Sequence, residues 1–318
     1  MGNPPTQTGS RGIQIDMDAV CTGPEYSLSV DRFTKPLTVQ PIPYQGSKRR
    51  LAPAILSFFP RNVCTLFEPF CGSAALSLAA AHDNRAQRFV LNDSLVSLTG
   101  IWQAIVSDPQ ELADNYERIW EGQHTDPNQH YFDIRAQYNR APSPAQLLYL
   151  ITRCVKNAIR FNDSGEFNQS PDRRRRGMNP DRMRNQLRAA HAHLSGRTKV
   201  RCGDFQEVLA AATPYDLVYF DPPYQGTSNR RDRRYRHQLD RDRLIRSLAD
   251  LRSRGIPMIV SFDGRHGSKS YGDPLPEELG LVHYQIDAGR SSQATLLGQN
   301  RRTLESLYVS PKLGRHLG

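Results

Sequence analysis

From residue 65 onward the chain alternates between two kinds of hydrophobic spacing. Short runs rich in β-branched and aromatic residues recur at TLFEPF (65–70), RFVLND (88–93), KVRCGD (199–204), DLVYFD (216–221), MIVSFD (258–263) and LESLYVS (304–310). Between most of them the apolar positions follow helical spacing, as in AALSLAAAH (74–82), SLVSLTGIWQAIV (94–106) and RDRLIRSLADLRSRG (241–255), the last closing on a glycine. Strand, helix, strand in repetition predicts an α/β fold: a doubly wound, mostly parallel sheet with helices on both faces.

The alternation stops between about 109 and 197, where helical and loop patterns continue without a convincing strand. Residues 109–197 therefore read as an inserted, mainly helical subdomain that divides a core domain into 36–108 and 198–318. Within it, SPAQLLYLITRCVKNAIRF (143–161) has the spacing of one long helix with a Ser N-cap, and NDSGEFNQSPDRRRRGMNP reads as a loop. Residues 1–35 are polar, contain Gly and Pro and lack periodicity, which predicts a flexible arm.

Composition narrows the setting. The chain of 318 residues can easily bury a core. Its five cysteines are odd in number and scattered, without a Cys-x-x-Cys pair, which argues for a reducing compartment and no metal site. No window approaches the roughly 20 apolar residues of a membrane span, and the amino terminus lacks the apolar core of a signal peptide, so a soluble intracellular protein is expected. The net charge of +10 comes largely from arginine. One cluster runs from Arg173 to Arg188 and another from Arg230 to Arg246, with Tyr235 inside the second. Either alone fits a solvated face; together they suggest a phosphate-contacting surface.

The chemistry-bearing residues gather where strands end. In VYFDPPYQGT (218–227) a strand stops at Asp221, and two prolines hold the turn stiff and extended. LFEPFCGSAALSLAA leads from Glu68 through Phe70, Cys71, Gly72 and Ser73 straight into a small-residue helix, where backbone can approach a ligand closely. Asp93 ends the next strand about 20 residues on, where α/β nucleotide binders keep a ribose acid; a helix N-cap explains it equally well locally. Asp204 ends the third strand. Four acid-bearing turns on one edge would suit a nucleoside ligand with hydroxyls, an exocyclic amine and an ammonium group.

The ordered set PYQGSKRRL (43–51), FEPFCGSAAL (67–76), LND (91–93), CGDF (202–205) and YFDPPY (219–224) resembles motifs X, I, II, III and IV of the Dam-like class of N6-adenine DNA methyltransferases. YFDIRAQYN (131–139) and AIRFNDSGEFN (158–168) resemble that class's target-recognition segments, and the similarity runs on through 288–311. The resemblance implies a Rossmann-like methyltransferase fold, S-adenosyl-L-methionine as cofactor, double-stranded DNA as partner, a cytoplasmic setting of prokaryotic or phage type, and a cognate restriction endonuclease as a candidate further partner. Tyr44, Lys48, Glu68, Phe70, Gly72, Ser73, Asp93, Asp204, Phe205 and Asp221 are the expected cofactor residues. Asp221, Pro222, Pro223 and Tyr224 are the expected catalytic motif, with Tyr224 stacking on a flipped base. Arg160, Asn162, Arg173, Arg174, Arg175, Arg176, Arg230, Arg231 and Arg290 are the expected DNA contacts. Two departures stand out: Ala74 and Ser47 occupy positions where relatives often carry glycine. An N4-cytosine DNA methyltransferase and a non-catalytic nucleic-acid-binding protein on the same fold are the alternatives; serine in place of Asp221 is commoner in the first.

Overall fold

The computed structural model describes residues 26–33, 35–223, 240–266, 269–271, 274–290 and 302–314. Among these, nine strands form one sheet: β1 (Tyr26–Ser29), β2 (Thr65–Glu68), β3 (Arg88–Asp93), β4 (Thr198–Cys202), β5 (Leu217–Phe220), β6 (Met258–His266), β7 (Lys269–Tyr271), β8 (Val282–Arg290) and β9 (Arg302–Val309). Their order is β1-β8-β9-β6-β5-β2-β3-β4, with β7 beside β6. β2 to β6 run parallel, while β9 is inserted antiparallel between β6 and β8. All six strands expected from the pattern are present.

Helices α1 (Ala52–Leu56), α2 (Ala75–His82) and α3 (Val96–Ser107) precede residues 109–197, the segment read above as an insertion. It contributes α4 (Pro109–Glu121), α5 (Pro127–Arg140), α6 (Pro144–Arg153) and α7 (Pro180–Leu194), and α8 (Phe205–Leu209) and α9 (Arg241–Ser253) come after it. The sheet is doubly wound. Along β5, Leu217 and Tyr219 belong to the core shared with α2 and α3, while Val218 and Phe220 belong to a second core built by α8 and α9. Such alternation into two apolar layers is why β5 reads as a continuous hydrophobic run. Among the described residues the insertion has no separate core: Leu147, Leu148, Met183 and Leu187 join the layer of α2 and α3. Its helices start cleanly, each on a capping side chain (Asp108, Asp126, Ser143 and Asn179) with proline next in the chain.

Two expectations need correction. Residues 26–29 of the anticipated arm form β1, paired in parallel with β8, while residues 1–25 lie outside the described residues. The long helix over 143–161 ends at Arg153. Lys156 and Asn157 take left-handed backbone, with φ of 61° and 52°, and the Asn157 amide donates to the Ile151 carbonyl at 2.8 Å. An asparagine that tolerates positive φ and bonds the last helical turn overrides apolar spacing that would otherwise continue. Beyond Asn157 the chain forms a tight hairpin in which Phe161 bridges Phe167.

Candidate active site

The strand order places the four acid-bearing turns side by side, as β5, β2, β3 and β4. The chain winds outward in opposite directions from β2 and β5, so the sheet has its switch point there, and open α/β sheets bind ligands outside the carboxyl ends of strands at that point. A cleft of ≈ 580 Å³ lies along this edge, lined by Glu68, Asp93, Asp204, Asp221, Lys48 and Phe205 among others. That volume is within the range of small-molecule sites.

The floor of the cleft is the β2–α2 turn. Gly72 has φ of +47°, and its amide donates to Asp93 Oδ2 at 3.2 Å; Asp93 Oδ1 accepts from the Leu95 amide at 3.0 Å. The Ser94 amide is a third backbone donor to this carboxylate, whose two oxygens can still accept from a ligand hydroxyl. Asp93 is buried, and desolvation pushes its carboxyl above the usual range while the backbone donors oppose it. The Trp102 indole donates to the Gly72 carbonyl at 2.9 Å, and the Tyr44 ring lies against Gly72, 3.6 Å from where a Cβ would stand. Ala74, with φ of 43°, caps α2 in left-handed backbone that glycine would adopt without strain. Ser47 explains its own departure, since its Oγ accepts from Ser73 Oγ at 2.9 Å and joins the first loop to the second.

Asn92 binds three strand ends together, donating to the carbonyls of Pro69 at 3.0 Å and Gly203 at 3.1 Å while its backbone carbonyl accepts from the Cys71 amide. At the far end Asp204 caps α8 through the Gln206 amide and accepts an ion pair from Arg243 at 2.9 Å. The Arg243 guanidinium also lies over the Phe205 ring, which packs against Phe70 at 5.1 Å between centroids. Arg243 thus serves the cleft, and Arg241 donates to the Pro274 carbonyl. Glu68 is turned to the start of α2, where its Oε1 accepts from the Ser77 amide at 2.6 Å; burial pushes its carboxyl up to about 7.

Asp221 sits at the opposite end, held by a buried lysine. Lys48 Nζ lies 2.8 Å from Asp221 Oδ1 and 3.9 Å from Glu305 on β9. Burial alone would lower the Lys48 ammonium's pKa; the two carboxylates outweigh it and hold it above its ordinary value. Burial raises the Asp221 carboxyl, partly offset by Lys48. Lys48 therefore keeps its proton, and one Asp221 oxygen is engaged. Pro222 is buried and Pro223 half-buried beside it, both on the cleft wall. Tyr224, Arg230 and Arg231 lie outside the described residues, as does the side chain of Arg290, whose backbone ends β8.

The insertion's expected DNA residues divide by environment. Arg173, Arg174, Arg175 and Arg176 are exposed on a turn, with Asp172 accepting from Arg174 and Arg175. Asn162 locks the hairpin, donating to Glu166 Oε2 and accepting from the Glu166 amide, both at 2.8 Å. Arg160 is half-buried at the hairpin's base. Arg184 is committed to packing, bridging Asp114 at 2.6 Å and Glu117 at 2.5 Å. Pattern reading missed Asn92, Trp102, Arg243 and Glu305; for Asn92 alone a local signal existed, its place beside Asp93 at a strand end.

A switch-point cleft with a buried acid at the end of β3, a positive-φ glycine turn after β2 and an Asp-Pro-Pro turn after β5 is the arrangement of a Rossmann-like group transferase. The family model for D12 class N6 adenine-specific DNA methyltransferases matches residues 44–278, and the chain belongs to that family. The DNA N-6-adenine-methyltransferase of Escherichia phage P1 is 26% identical over 262 residues, 77% of this chain and 33% of that protein. Type II methyltransferase M1.LlaDCHI of Lactococcus lactis subsp. cremoris is 26% identical over 79% of this chain and 88% of its own length. The retron Ec67 DNA adenine methylase of Escherichia coli is 24% identical over 84% and 90%. The chain thus spans a third of the phage relative but nearly all of the other two. Among the described residues no group of His, Cys, Asp and Glu could hold a metal ion, and no helix is long and apolar enough to cross a membrane.

Proposed function

We propose that the chain transfers the methyl group of S-adenosyl-L-methionine to N6 of adenine in double-stranded DNA, with the target base flipped out of the duplex. The observation that carries this reading is the rigid Asp221-Pro222-Pro223 turn at the switch point, opening on the same cleft as the clamped Asp93 and the Phe70–Phe205 wall. These residues fit the cofactor: Asp93 has lone pairs for ribose hydroxyls, Phe205 and Asp204 suit an adenine ring and its amine, and the Gly72 turn permits close backbone approach. When bound, the cofactor supplies a methyl group on a sulfonium, which leaves with the bonding electrons on sulfur.

The protein's own task is to make a poor nucleophile competent. The adenine amine is weak because its lone pair is delocalised into the ring. Asp221 Oδ2 and the Pro222 carbonyl accept its two N–H groups and favour a pyramidal nitrogen whose lone pair faces the methyl. Two prolines and Lys48 fix these acceptors beforehand, so little reorganisation remains for the reaction. The proton lost afterwards comes from an acidified, methylated amine, so Asp221 need not be a strong base. Activity requires the ionised carboxylate; because burial raises its pKa, the acid limb of the rate profile lies above the ordinary Asp range.

The insertion is the target-recognition part, with the 160–168 hairpin and the exposed Arg173–Arg176 turn facing DNA; phosphate contacts suit the turn better than base contacts. Restriction endonuclease pairing is proposed on the names of the type II relatives alone, and an intracellular setting on the nature of the substrate. Nucleoside mass spectrometry on duplex DNA incubated with the protein and S-adenosylmethionine tests the reading. N6-methyladenine is expected. N4-methylcytosine would overturn the substrate, and absence of either product on DNA of varied sequence would overturn the activity.

A further inference from the structure

We infer that Glu305 is a positioning residue for the transfer step, acting on Asp221 through Lys48. It lies outside the residues matched by the family model, on the antiparallel strand β9, two strands away from β5. This inference rests on the role proposed above for Asp221.

The geometry is a buried ammonium between two carboxylates. Lys48 is 5% exposed, and its Nζ faces Asp221 Oδ1 at 2.8 Å, Glu305 Oε2 at 3.9 Å and the Gly46 carbonyl at 3.4 Å. Asp221 and Glu305 are each about one-fifth exposed, at 22%. Glu305 is held on a strand bonded on both sides, opposite Gly264 of β6 and Ile286 of β8. The carboxylate is thus carried on a strand bonded to both neighbours, next to a bulge between Ser261 and Gly264 of β6.

Charge counting gives the consequence. An ammonium that served Asp221 alone would neutralise it and weaken it as an acceptor for the adenine amine. A second carboxylate leaves the triad with a net negative charge, so Asp221 stays fixed by Lys48 without losing its acceptor strength. Among the described residues, the charged and titratable groups around Asp221 and Lys48 are Glu305, Glu68 and the Tyr219 hydroxyl, which is paired with Ser261 at 2.9 Å. Glu68 is engaged at the start of α2, with its Oε1 accepting from the Ser77 amide.

Two measurements on Glu305→Gln decide the matter. In steady-state methylation, kcat near neutral pH should fall about tenfold, and the acid limb of the kcat profile should move to lower pH, because Asp221 loses a repulsive neighbour. Cofactor and DNA affinity should stay within about threefold. A structural role alone would lower stability without moving that limb, and an unmoved limb overturns the inference. The second measurement needs no activity. In an unfolding cycle with Lys48→Met, Glu305→Gln should destabilise the wild-type background clearly more than the Lys48→Met background, where the ammonium it faces is gone. Equal effects in both backgrounds overturn the link to Lys48. If the wild type makes no methylated base, the proposed activity fails, and this cycle still decides the contact.

Discussion

At the sheet edge each charge is held by a partner: the buried Lys48 between Asp221 and Glu305, the buried Asp93 under backbone amides, and the half-exposed Asp204 against Arg243. In the insertion the arginines divide instead. Arg153 is 1% exposed and donates to the carbonyls of Asp172 at 2.8 Å and Pro127 at 3.0 Å, whereas Arg174 has 87% of its side chain exposed. The same residue type thus builds the platform and faces solvent from it. Charge density along a sequence reports neither role; the difference lies in whether the charge meets a desolvated partner, which makes it costly to remove, or water, which makes it available to a polyanion.

The largest expected effect falls on the buried side of this contrast. Asp221→Ala should lower kcat about 1,000-fold, the scale of losing one preorganised transition-state partner, with DNA affinity changed less than about threefold. Retained turnover would break the contrast at its centre. Next, Arg153→Ala leaves buried carbonyls without donors and should cost about 3 kcal/mol in urea unfolding, with weaker DNA binding as the turn at Asp172 loosens. A loss below about 1 kcal/mol would place Arg153 with the solvent-facing arginines.

Glu68 sharpens the buried side through pH. Its carboxyl is raised from 4.5 to about 7 by burial, so the folded state holds a proton that the unfolded chain has released in that interval. Stability from this group is fully present below pH 4.5 and declines as pH rises to about 7, by about 3 kcal/mol. Glu68→Gln keeps an acceptor for Ser77 and should remove the decline; a variant that tracks the wild-type pH curve would refute the assignment.

Smaller effects separate the arginines. Replacing Arg173, Arg174 and Arg176 together by Ala should reduce the slope of log affinity against log salt by about 2 to 3. Arg184→Ala should leave that slope unchanged and cost about 1 kcal/mol in stability. Smallest of all, Ala74→Gly should stabilise the fold by about 1 kcal/mol, since Ala74 holds a φ of 43°. Destabilisation would show that the turn before α2 is not strained.

Much of this edge was legible because strand ends carry compact local signals. Asp221 before two prolines, Asp93 after LN and Gly72 after a proline turn each announce backbone geometry within a few residues. The partners were not legible, because each arrives from elsewhere: Lys48 from 173 positions upstream of Asp221, Glu305 from a strand that reverses direction, Arg243 from a helix whose charges resembled a phosphate-binding run. The hairpin at 160–168 was hidden for a different reason. Its first residues continue a helical spacing that Asn157 interrupts with a side-chain bond to Ile151. β8 was overlooked although Gly280 precedes it and polar and apolar positions alternate from Val282 onward, and β1 because its four residues pair with a strand far along the chain.

On the proposed division of labour along this edge, Asp93 seats the cofactor and Asp221 receives the amine. Calorimetric titration of S-adenosylmethionine into the wild type, Asp93→Ala and Asp221→Ala tests it most directly. Asp93→Ala should bind about 100-fold more weakly, as loss of a charged acceptor implies, and Asp221→Ala within about threefold of wild type. Wild-type affinity in a folded Asp93→Ala, or an equal loss in both variants, would contradict the division.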